Sequence, residues 1–401
     1  MTDSASFRLL SLSGIVLVWL IGAALALASE APPDALKKTK SHSDRFHSFE
    51  ILSKMHTVDR VYPSMKGPSD TQFFKLEDVT KPELLWLKSV KVDILDKQGE
   101  SQSSEYLCHS NLYFSDYQRH HKIFGRSITP NQRFIDINQG LLTVLLPDGF
   151  GIPIMSGEQL KFHSMVMNLQ ERPEPFDLQL KTTFEYVRNS ERVGPMKALA
   201  QRAIPMWIPV AAVDAHAHHH ASPEESSEGS MDEGMTNEKY QADGEDGLSA
   251  PANPTPRGYR TRPDGVSETT HWMVPPGRHS FSYQPDKGLK MPFPKARIHV
   301  LTGHMHAYGE SIELRDLTTG ESLFVIRAKG FDDAIGIEFM THYSSQDGFL
   351  VHRDHKYEIL ATYNNTSSRD IDAMAVIYLY YLDERFDEQA IGSLKIGQAT
   401  N

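Results

Sequence analysis

The sequence predicts an all-β protein made of two tandem jelly-roll-like antiparallel β-sandwiches. Short runs of alternating apolar and polar residues recur along the chain, and Pro, Gly and Asp turns separate them. One long polar tract divides the runs into two groups. Runs of this length and spacing are typical of antiparallel sandwiches. With 401 residues, the chain is long enough for two domains of ordinary size.

Residues 1–29 have the pattern of a secretory signal peptide. Arg8 precedes an apolar stretch from Leu9 to Ala28, which ends in small residues. The stretch is also long enough to be an uncleaved membrane anchor, so both interpretations stay open. In either case the sequence predicts an exported protein, periplasmic or extracellular, with a membrane tether as one alternative. Residues 30–43 are predicted to be a linker.

The overall composition limits the classes of partner and the sources of stability. The formal charge of −11 argues against a nucleic-acid partner, because no run of Lys or Arg could neutralise a row of phosphates. Cys108 is the single cysteine, so an exported chain of this sequence has no intrachain disulfide. Its stability must come from core burial. A free thiol in an oxidising compartment is expected to be buried or bound.

Residues 44–213 are predicted to form the N-terminal sandwich. Gly194–Ala203 is predicted to be a short helix, the only one in this block. The predicted strands are Ser89–Leu95, Glu105–Phe114, Leu141–Leu146, Leu160–Met167 and Phe176–Val187.

Residues 214–260 differ in composition from the rest of the chain. They are rich in Ser, Glu, Gly, Asp and Pro and hold almost no large apolar residues, so they cannot bury enough surface to fold. We therefore predict a disordered linker at the domain boundary. Its His and Met side chains would bind copper or zinc loosely, or would simply be solvated. These side chains are His216, His218, His219, His220, Met231 and Met235.

Residues 261–390 are predicted to form the second sandwich, and residues 391–401 a tail. The predicted strands are Arg297–His306, Ser311–Arg315, Ser322–Arg327, Tyr357–Tyr363 and Ala375–Tyr381. Within this block, His304 and His306 lie two residues apart in a predicted strand, where side chains at i and i+2 share a face. Met374 opens the last apolar strand. Two imidazoles and a thioether form a soft ligand set that favours copper.

The second block resembles the C-terminal domain of the copper type II, ascorbate-dependent monooxygenases, the family of the peptidylglycine α-hydroxylating and dopamine β-monooxygenases. Three segments carry the resemblance in the family's order and spacing, namely Trp272–Gly277, His304–Gly309 and Thr366–Tyr381. The resemblance implies that His304, His306 and Met374 bind the copper that reacts with O2 and hydroxylates a C–H bond. It also implies ascorbate or another reductant as the electron donor.

The resemblance further implies a second copper site in the N-terminal domain, held by a tandem His pair and a third His. Here Cys108 stands where one His of the pair is expected, and His109 provides the other. Asn168 occupies the position of the third His, and His163 lies five residues earlier. Adjacent residues of a regular strand face opposite ways, so Cys108 and His109 need a β-bulge to share a metal. The alternative is a core Cys108 and a His109 bonded to backbone.

Four further side chains of the second block are weaker candidates. His342, His352 and His355 would line the metal cleft or would simply pack, because their spacing fixes neither. Tyr308 would share the face of His306 if the strand continued, and packing is the alternative. The chain has no nucleophile elbow, Walker loop or Rossmann glycine pattern.

The sequence therefore supports three hypotheses from different classes. The leading one is an exported copper-dependent monooxygenase that hydroxylates a small organic or peptide substrate with O2 and an external reductant. The second is a non-catalytic, single-site protein that binds and handles copper. The third is a β-sandwich interaction module without metal. A monooxygenase would need some ligand set to replace the missing N-terminal histidines.

Overall fold

A computed structural model describes residues 44–77, 82–124, 132–171, 174–210, 258–286 and 288–393. The described residues belong to one compact unit of the chain. The predicted signal peptide, the first linker, the His-rich tract and the end of the predicted tail lie outside the described residues. Among the described residues, no helix has the length and apolar composition needed to cross a membrane.

The described residues before the polar tract form twelve strands and one short α-helix, α1 (Tyr117–Ile123). The strands are β1 (Phe46–Leu52), β2 (His56–Val58), β3 (Ser69–Phe74), β4 (Leu84–Asp96), β5 (Leu107–Phe114), β6 (Arg133–Asn138), β7 (Thr143–Leu145), β8 (Phe150–Met155), β9 (Leu160–Val166), β10 (Phe176–Arg188), β11 (Lys197–Pro205) and β12 (Ile208–Pro209).

The described residues after the tract form twelve more strands and a second short helix, α2 (Glu388–Ser393). The strands are β13 (Tyr259–Thr261), β14 (Ser267–Thr269), β15 (Trp272–Val274), β16 (Gly277–Tyr283), β17 (Lys295–Met305), β18 (Gly309–Asp316), β19 (Glu321–Gly330), β20 (Ile337–Met340), β21 (Tyr343–His352), β22 (Tyr357–Asn365), β23 (Ile371–Ala373) and β24 (Ala375–Leu382).

The strands confirm the all-β prediction and pack as two antiparallel sandwich halves. In the N-terminal half, strands β1-β10-β4-β8 face a four-stranded sheet of order β3-β9-β5-β6. Ser110 on β5 meets Thr182 on β10, with their hydroxyl oxygens 3.4 Å apart in the buried space between the sheets. In the C-terminal half, strands β11-β24-β17-β21 face a five-stranded sheet of order β16-β22-β18-β19-β20.

Gly303 marks a close approach of the two C-terminal sheets. It lies on β17, directly before His304, and a Cβ added to it would lie 2.5 Å from Ile326 Cδ1 on the facing sheet. Glycine inside a strand is favoured where another part of the molecule comes this close. The residue therefore lets the sheets approach where the first candidate metal ligand is attached.

The prediction of a helix at Gly194–Ala203 was wrong. Residues Lys197–Pro205 form strand β11, which pairs antiparallel with β24 from Leu199↔Leu382 to Pro205↔Val376. It also pairs in parallel with β8 over two residues. Local propensity is a weak preference, and hydrogen bonding to strands on both sides overrides it here.

Strand β11 joins the two halves of the molecule. Through its two neighbours, one sheet of ten strands runs across both sandwiches. The turn after β6 adds a second connection, because Asn138 Nδ2 donates to the Gly303 carbonyl at 3.3 Å and Met340 N donates to the Gly140 carbonyl at 2.8 Å. One apolar cluster extends through both halves. The relative placement of the candidate ligands is therefore fixed by backbone pairing and core packing.

Candidate metal centre

His304 and His306 lie at the end of β17, where the strand reaches the N-terminal half. Their rings are 5.3 Å apart between centroids and nearly perpendicular, at 82°. His304 pairs with Val376 and Met305 with Ala375 across to β24. His306 and Met374 are the next residues beyond the Met305–Ala375 pair, just outside the two strands. The backbone thus brings the three predicted ligands to the same end of the β17–β24 pair.

Tyr363 on β22 ties the backbone of two of these residues together. Its hydroxyl donates to the Met374 carbonyl at 2.5 Å and accepts hydrogen bonds from the Met374 amide at 3.3 Å and the His306 amide at 3.4 Å. The side chain is fully buried, and burial raises the pKa of its phenol. The phenol therefore stays neutral and keeps its O–H group as a hydrogen-bond donor. These three hydrogen bonds hold the end of β17 and the start of β24 in fixed register.

Asp372 orients the imidazole of His306. Its carboxylate Oδ2 lies 3.0 Å from His306 Nδ1 and 3.3 Å from His271 Nδ1. Burial alone would raise the pKa of this carboxyl, but its hydrogen bonds with His271 and His306 outweigh burial and lower the pKa well below its usual range. An ionised carboxylate at Nδ1 selects the tautomer whose Nε2 carries the lone pair. That nitrogen accepts from Ser64 Oγ at 3.1 Å.

His304 has the properties of a neutral metal ligand. Burial, and then the neighbouring His306, His109 and His271, lower its pKa well below 6.5. Its Nδ1 is buried and has no hydrogen-bond partner among the described residues. Most buried polar side-chain atoms have a hydrogen-bond partner, so this nitrogen is available to a ligand. A copper ion bound by neutral imidazoles suits this atom.

In the N-terminal half, β5 contains the bulge that Cys108 and His109 need to face one metal. Leu107 pairs with Val166 and His109 with Met165, so Cys108 is the extra residue. Such a bulge changes the direction of side chains on the strand. Cys108 packs against Met165 and Met167, and its thiol is 3% exposed.

His109 and His163 come together on the same sheet. Their ring centroids are 5.2 Å apart. His163 Nδ1 hydrogen-bonds Thr71 Oγ1 at 2.8 Å. Burial, and then the neighbouring His163, lower the pKa of His109 well below 6.5. Asn168 is instead engaged with the backbone, since its amide donates to the Arg60 carbonyl at 2.9 Å.

The two candidate sets face each other across the junction of the halves. Asn138, which pairs with His109 on the neighbouring strand, donates to the carbonyl of Gly303, the residue before His304. Ser64 touches both sets, because its Oγ lies 3.1 Å from His306 Nε2 and 4.0 Å from Cys108 Sγ. The structure therefore joins the two predicted sites through one short hydrogen-bonded path.

Two of the weaker candidates, His352 and His355, lie far from this cluster. His352 pairs with Lys295 at the far end of β17, about 30 Å from His304 at 3.3 Å per residue. Its ring stacks on that of His355, which hydrogen-bonds Asp316 at 2.6 Å. Tyr308 lies in the turn after β17 with φ 67°, so strand alternation does not place it beside His306. Burial lowers the pKa of His342.

Sequence reasoning missed four residues of the cluster, namely Ser64, His271, Tyr363 and Asp372. Asp372 lies two residues before Met374, and that spacing was the one available signal. His271 precedes the short strand β15, which pairs with β23 and so lies beside Asp372. His271, His306 and Asp372 each offer a ligand atom, and these three atoms lie within 4.8 Å of one another. Only the tertiary fold brings them together.

Comparison with known proteins does not assign the chain to a family. No protein-family model matches it, and no curated protein matches it. Among solved structures, it is similar to the STIV MCP at 8% identity and a TM-score of 0.29, covering 84% of this chain and 98% of that one. It is also similar to PBCV-1 VP54, fitted into a reconstruction of the virophage Sputnik, at 8% identity and a TM-score of 0.27, covering 86% and 95%. TM-scores this low identify no relative, so nothing is transferred from these proteins.

Proposed function

We propose that this chain is an exported copper protein of the ascorbate-dependent monooxygenase type. In this proposal His304, His306 and Met374 bind the reactive copper. The electron donor is ascorbate or another external reductant, and the substrate is a small organic molecule or a peptide. The signal or anchor sequence supports export, with a membrane tether as the alternative to a free mature chain.

The observation that carries the proposal is the position of the three residues at one end of the β17–β24 pair. His304 pairs with Val376, Met305 pairs with Ala375, and His306 and Met374 are the next residues beyond that last pair. The buried, unpartnered Nδ1 of His304 supports the same assignment. Two neutral imidazoles and one thioether leave coordination positions open and favour Cu(I).

Copper, when bound, supplies the oxygen and redox chemistry, and the chain's own residues supply position and proton control. Asp372 holds the Nδ1 proton of His306 and so leaves Nε2 as the ligand atom. Tyr363 fixes the backbone of His306 and Met374 through its buried hydroxyl. The low pKa of His304 keeps its imidazole unprotonated at neutral pH.

The test combines copper stoichiometry with oxygen consumption in the full chain. Met374→Leu keeps the volume of the side chain and removes its sulfur. We expect oxygen-dependent turnover with ascorbate to fall at least about 100-fold, because the thioether sets the reactivity of the copper. Met291→Leu, a substitution of a buried methionine elsewhere in the C-terminal half, is the matched control. Unchanged turnover in Met374→Leu would show that the Met374 sulfur is not a ligand of the reactive copper.

A second candidate function is a non-catalytic protein that binds copper at a single site. One observation favours it. Asn168 stands where the resemblance expects the third N-terminal histidine, and its amide donates to the Arg60 carbonyl at 2.9 Å, so this position offers no imidazole for a second, electron-supplying copper. A protein that binds one copper per chain and consumes no oxygen with ascorbate would support this function over the first.

A further inference from the structure

We propose that the turn between β21 and β22 binds one Zn²⁺ ion through His352, Asp354 and His355. These three residues are called the turn site below. His352 pairs with Lys295 at the start of β17, whereas His304 lies near the end of that strand. The turn site is therefore separate from the candidate copper ligands. The inference goes beyond the proposed function and does not depend on it.

The three side chains of the turn site lie close together. Each offers one ligand atom, and the three atoms lie within 4.8 Å of one another. The rings of His352 and His355 stack with their centroids 4.5 Å apart and their planes inclined by 12°. In a tetrahedral zinc site, ligand atoms about 2.1 Å from the metal lie about 3.4 Å apart. Side-chain rotations can close this difference, because both histidines are only half-buried and Asp354 is exposed.

Hydrogen bonds fix the backbone of the turn site. The Tyr357 hydroxyl accepts from the His352 amide at 2.7 Å and donates to the His352 carbonyl at 3.0 Å. Burial raises the pKa of Tyr357 to about 12, so the hydroxyl keeps its proton. The amide of Arg353 donates to the Pro294 carbonyl at 2.9 Å, and the amide of His355 donates to the His352 carbonyl at 3.3 Å. A turn held in this way lowers the conformational cost of binding a metal ion.

Asp316 orients the imidazole of His355. Its Oδ2 lies 2.6 Å from His355 Nδ1, and its side chain is 5% exposed. Burial alone would raise the pKa of Asp316, but its hydrogen bonds with His355 and with two backbone amides of the following turn lower it. The ionised carboxylate keeps the His355 proton on Nδ1 and leaves the lone pair on Nε2. A carboxylate behind the imidazole is the usual partner of a zinc-binding histidine.

Ligand type and charge favour Zn²⁺ at the turn site. Zinc accepts two imidazoles and a carboxylate and leaves a position for water, whereas Mg²⁺ and Ca²⁺ prefer oxygen ligands and Cu(I) prefers sulfur. Asp354 and the nearby Asp316 supply two negative charges, which balance the charge of the ion. Arg353 lies between the ligands in sequence, but its guanidinium donates to the carbonyls of Pro292 and Phe293 at 2.8 and 3.4 Å. This cation is thus held by another loop.

Zinc at the turn site would fasten two turns to each other. The amide of Leu317 donates to the Lys356 carbonyl at 2.8 Å, and the amide of Lys356 donates to Thr318 Oγ1 at 2.9 Å. These bonds already join the β18–β19 turn to the β21–β22 turn. Metal on His355 adds a link through Asp316. Bound zinc should therefore make local opening of both turns rarer.

The experiment measures Zn²⁺ binding by the full, metal-free chain with isothermal titration calorimetry. A parent variant excludes binding by the polar tract and by the candidate copper ligands. We expect this parent to bind one Zn²⁺ per chain. With zinc bound, the amides of Leu317 and Lys356 should exchange their hydrogens at least about tenfold more slowly. The parent carries His216→Ser, His218→Ser, His219→Ser, His220→Ser, His304→Ala and His306→Ala.

Substitutions in the turn site then identify the ligands. His352→Ala and His355→Ala should each lower the zinc affinity of the parent more than about 100-fold, because losing a ligand costs more than losing an outer partner. Asp354→Asn should lower it about tenfold, since the amide carries no charge. His279→Ala replaces another half-buried histidine of the same half, and Asp347→Asn an exposed aspartate on β21. These two controls should leave the affinity unchanged.

The positioning role of Asp316 has its own test. Asp316→Asn should lower the zinc affinity about 10–100-fold. Nitrogen NMR shifts of the His355 ring in the metal-free chain report the tautomer, which a purely structural role of Asp316 would leave unchanged. An unaltered tautomer in Asp316→Asn would overturn this role.

The outcomes separate the turn site from the proposed function. No zinc binding by the parent, or unchanged affinity in both His352→Ala and His355→Ala, would overturn the turn site. One bound zinc without slower exchange at Leu317 and Lys356 would overturn it as well. His352→Gln, His355→Gln and the unfolding temperatures of the metal-free variants identify any loss of fold. Copper binding by the natural chain is measured separately, so either proposal can fail while the other survives.

Discussion

The two candidate copper regions differ in how the chain places their ligands. In the C-terminal half, His304 lies on β17 and His306 directly follows the last residue of that strand, Met305, so the two are only two residues apart. In the N-terminal half, a bulge at Cys108 breaks that alternation between Leu107 and His109. The first region follows from a local repeat of two residues, and the second depends on one inserted residue. A sequence pattern therefore reveals the C-terminal region far more readily than the N-terminal region.

The regions also differ in the elements that surround their ligands. The C-terminal candidate residues His306 and Met374 contact a carboxylate and a phenol, Asp372 and Tyr363, which fix tautomer and backbone. In the N-terminal half, Cys108 packs against Met165 and Met167. A polar surrounding suits imidazole ligands that must keep one orientation.

The largest expected effect comes from removing one imidazole of the C-terminal region. His306→Ala should abolish copper binding at the main site, because the ion would keep only one imidazole and a weak thioether. Elemental analysis of the purified chain measures this loss as one copper per chain. His279→Ala, on strand β16 of the same half, is the control. Unchanged stoichiometry in His306→Ala would exclude His306 as a ligand.

A smaller effect is expected from Asp372, which orients His306 without reaching the metal in the proposed site. Asp372→Asn should lower copper affinity about 10–100-fold, because the amide no longer fixes the Nδ1–H tautomer. Asp370→Asn, an exposed change two residues earlier, is the control. Nitrogen NMR shifts of the His306 ring measure the tautomer directly. An unaltered tautomer with weaker binding would assign Asp372 to the metal itself.

The smallest effect concerns stability in acid and compares the two regions directly. His109 and His304 have folded-state pKa values well below 6.5, chiefly because both are buried. Above pH 6.5 both are neutral in the folded and unfolded chains, so they add no pH dependence. Below pH 6.5 only the unfolded chain takes up the protons. Stability should therefore fall by up to about 1.4 kcal/mol per pH unit for each histidine.

Urea unfolding of the metal-free chain at pH 7.5, 6.5 and 5.5 measures this slope. His109→Gln and His304→Gln should each reduce the loss of stability between pH 6.5 and 5.5, since glutamine does not titrate. Equal reductions would show that both regions are equally shielded from water. If neither variant changes the slope, the buried histidines are protonated in the folded chain, and the neutral ligand sets are wrong.

The sequence by itself determined the all-β class and the close spacing of His304 and His306. Both follow from local periodicity, which depends only on neighbouring residues. It also predicted ten of the twenty-four strands of the described residues, because alternating apolar residues mark a surface that is buried on one face. It failed at Lys197–Pro205, where local residues favour a helix and only the flanking strands β8 and β24 impose a strand.

Only the tertiary structure decided the surroundings of the candidate ligands. Ser64 lies 242 residues from His306, and Asp372 lies 66 residues from it, so no local pattern predicts either contact. The bulge at Cys108 likewise depends on the register between β5 and β9. Hydrogen bonds between distant strands create these contacts, and their geometry is set by the packing of the whole core. The types of the candidate ligand residues can therefore be read from short stretches of sequence, whereas their arrangement depends on pairing between distant strands.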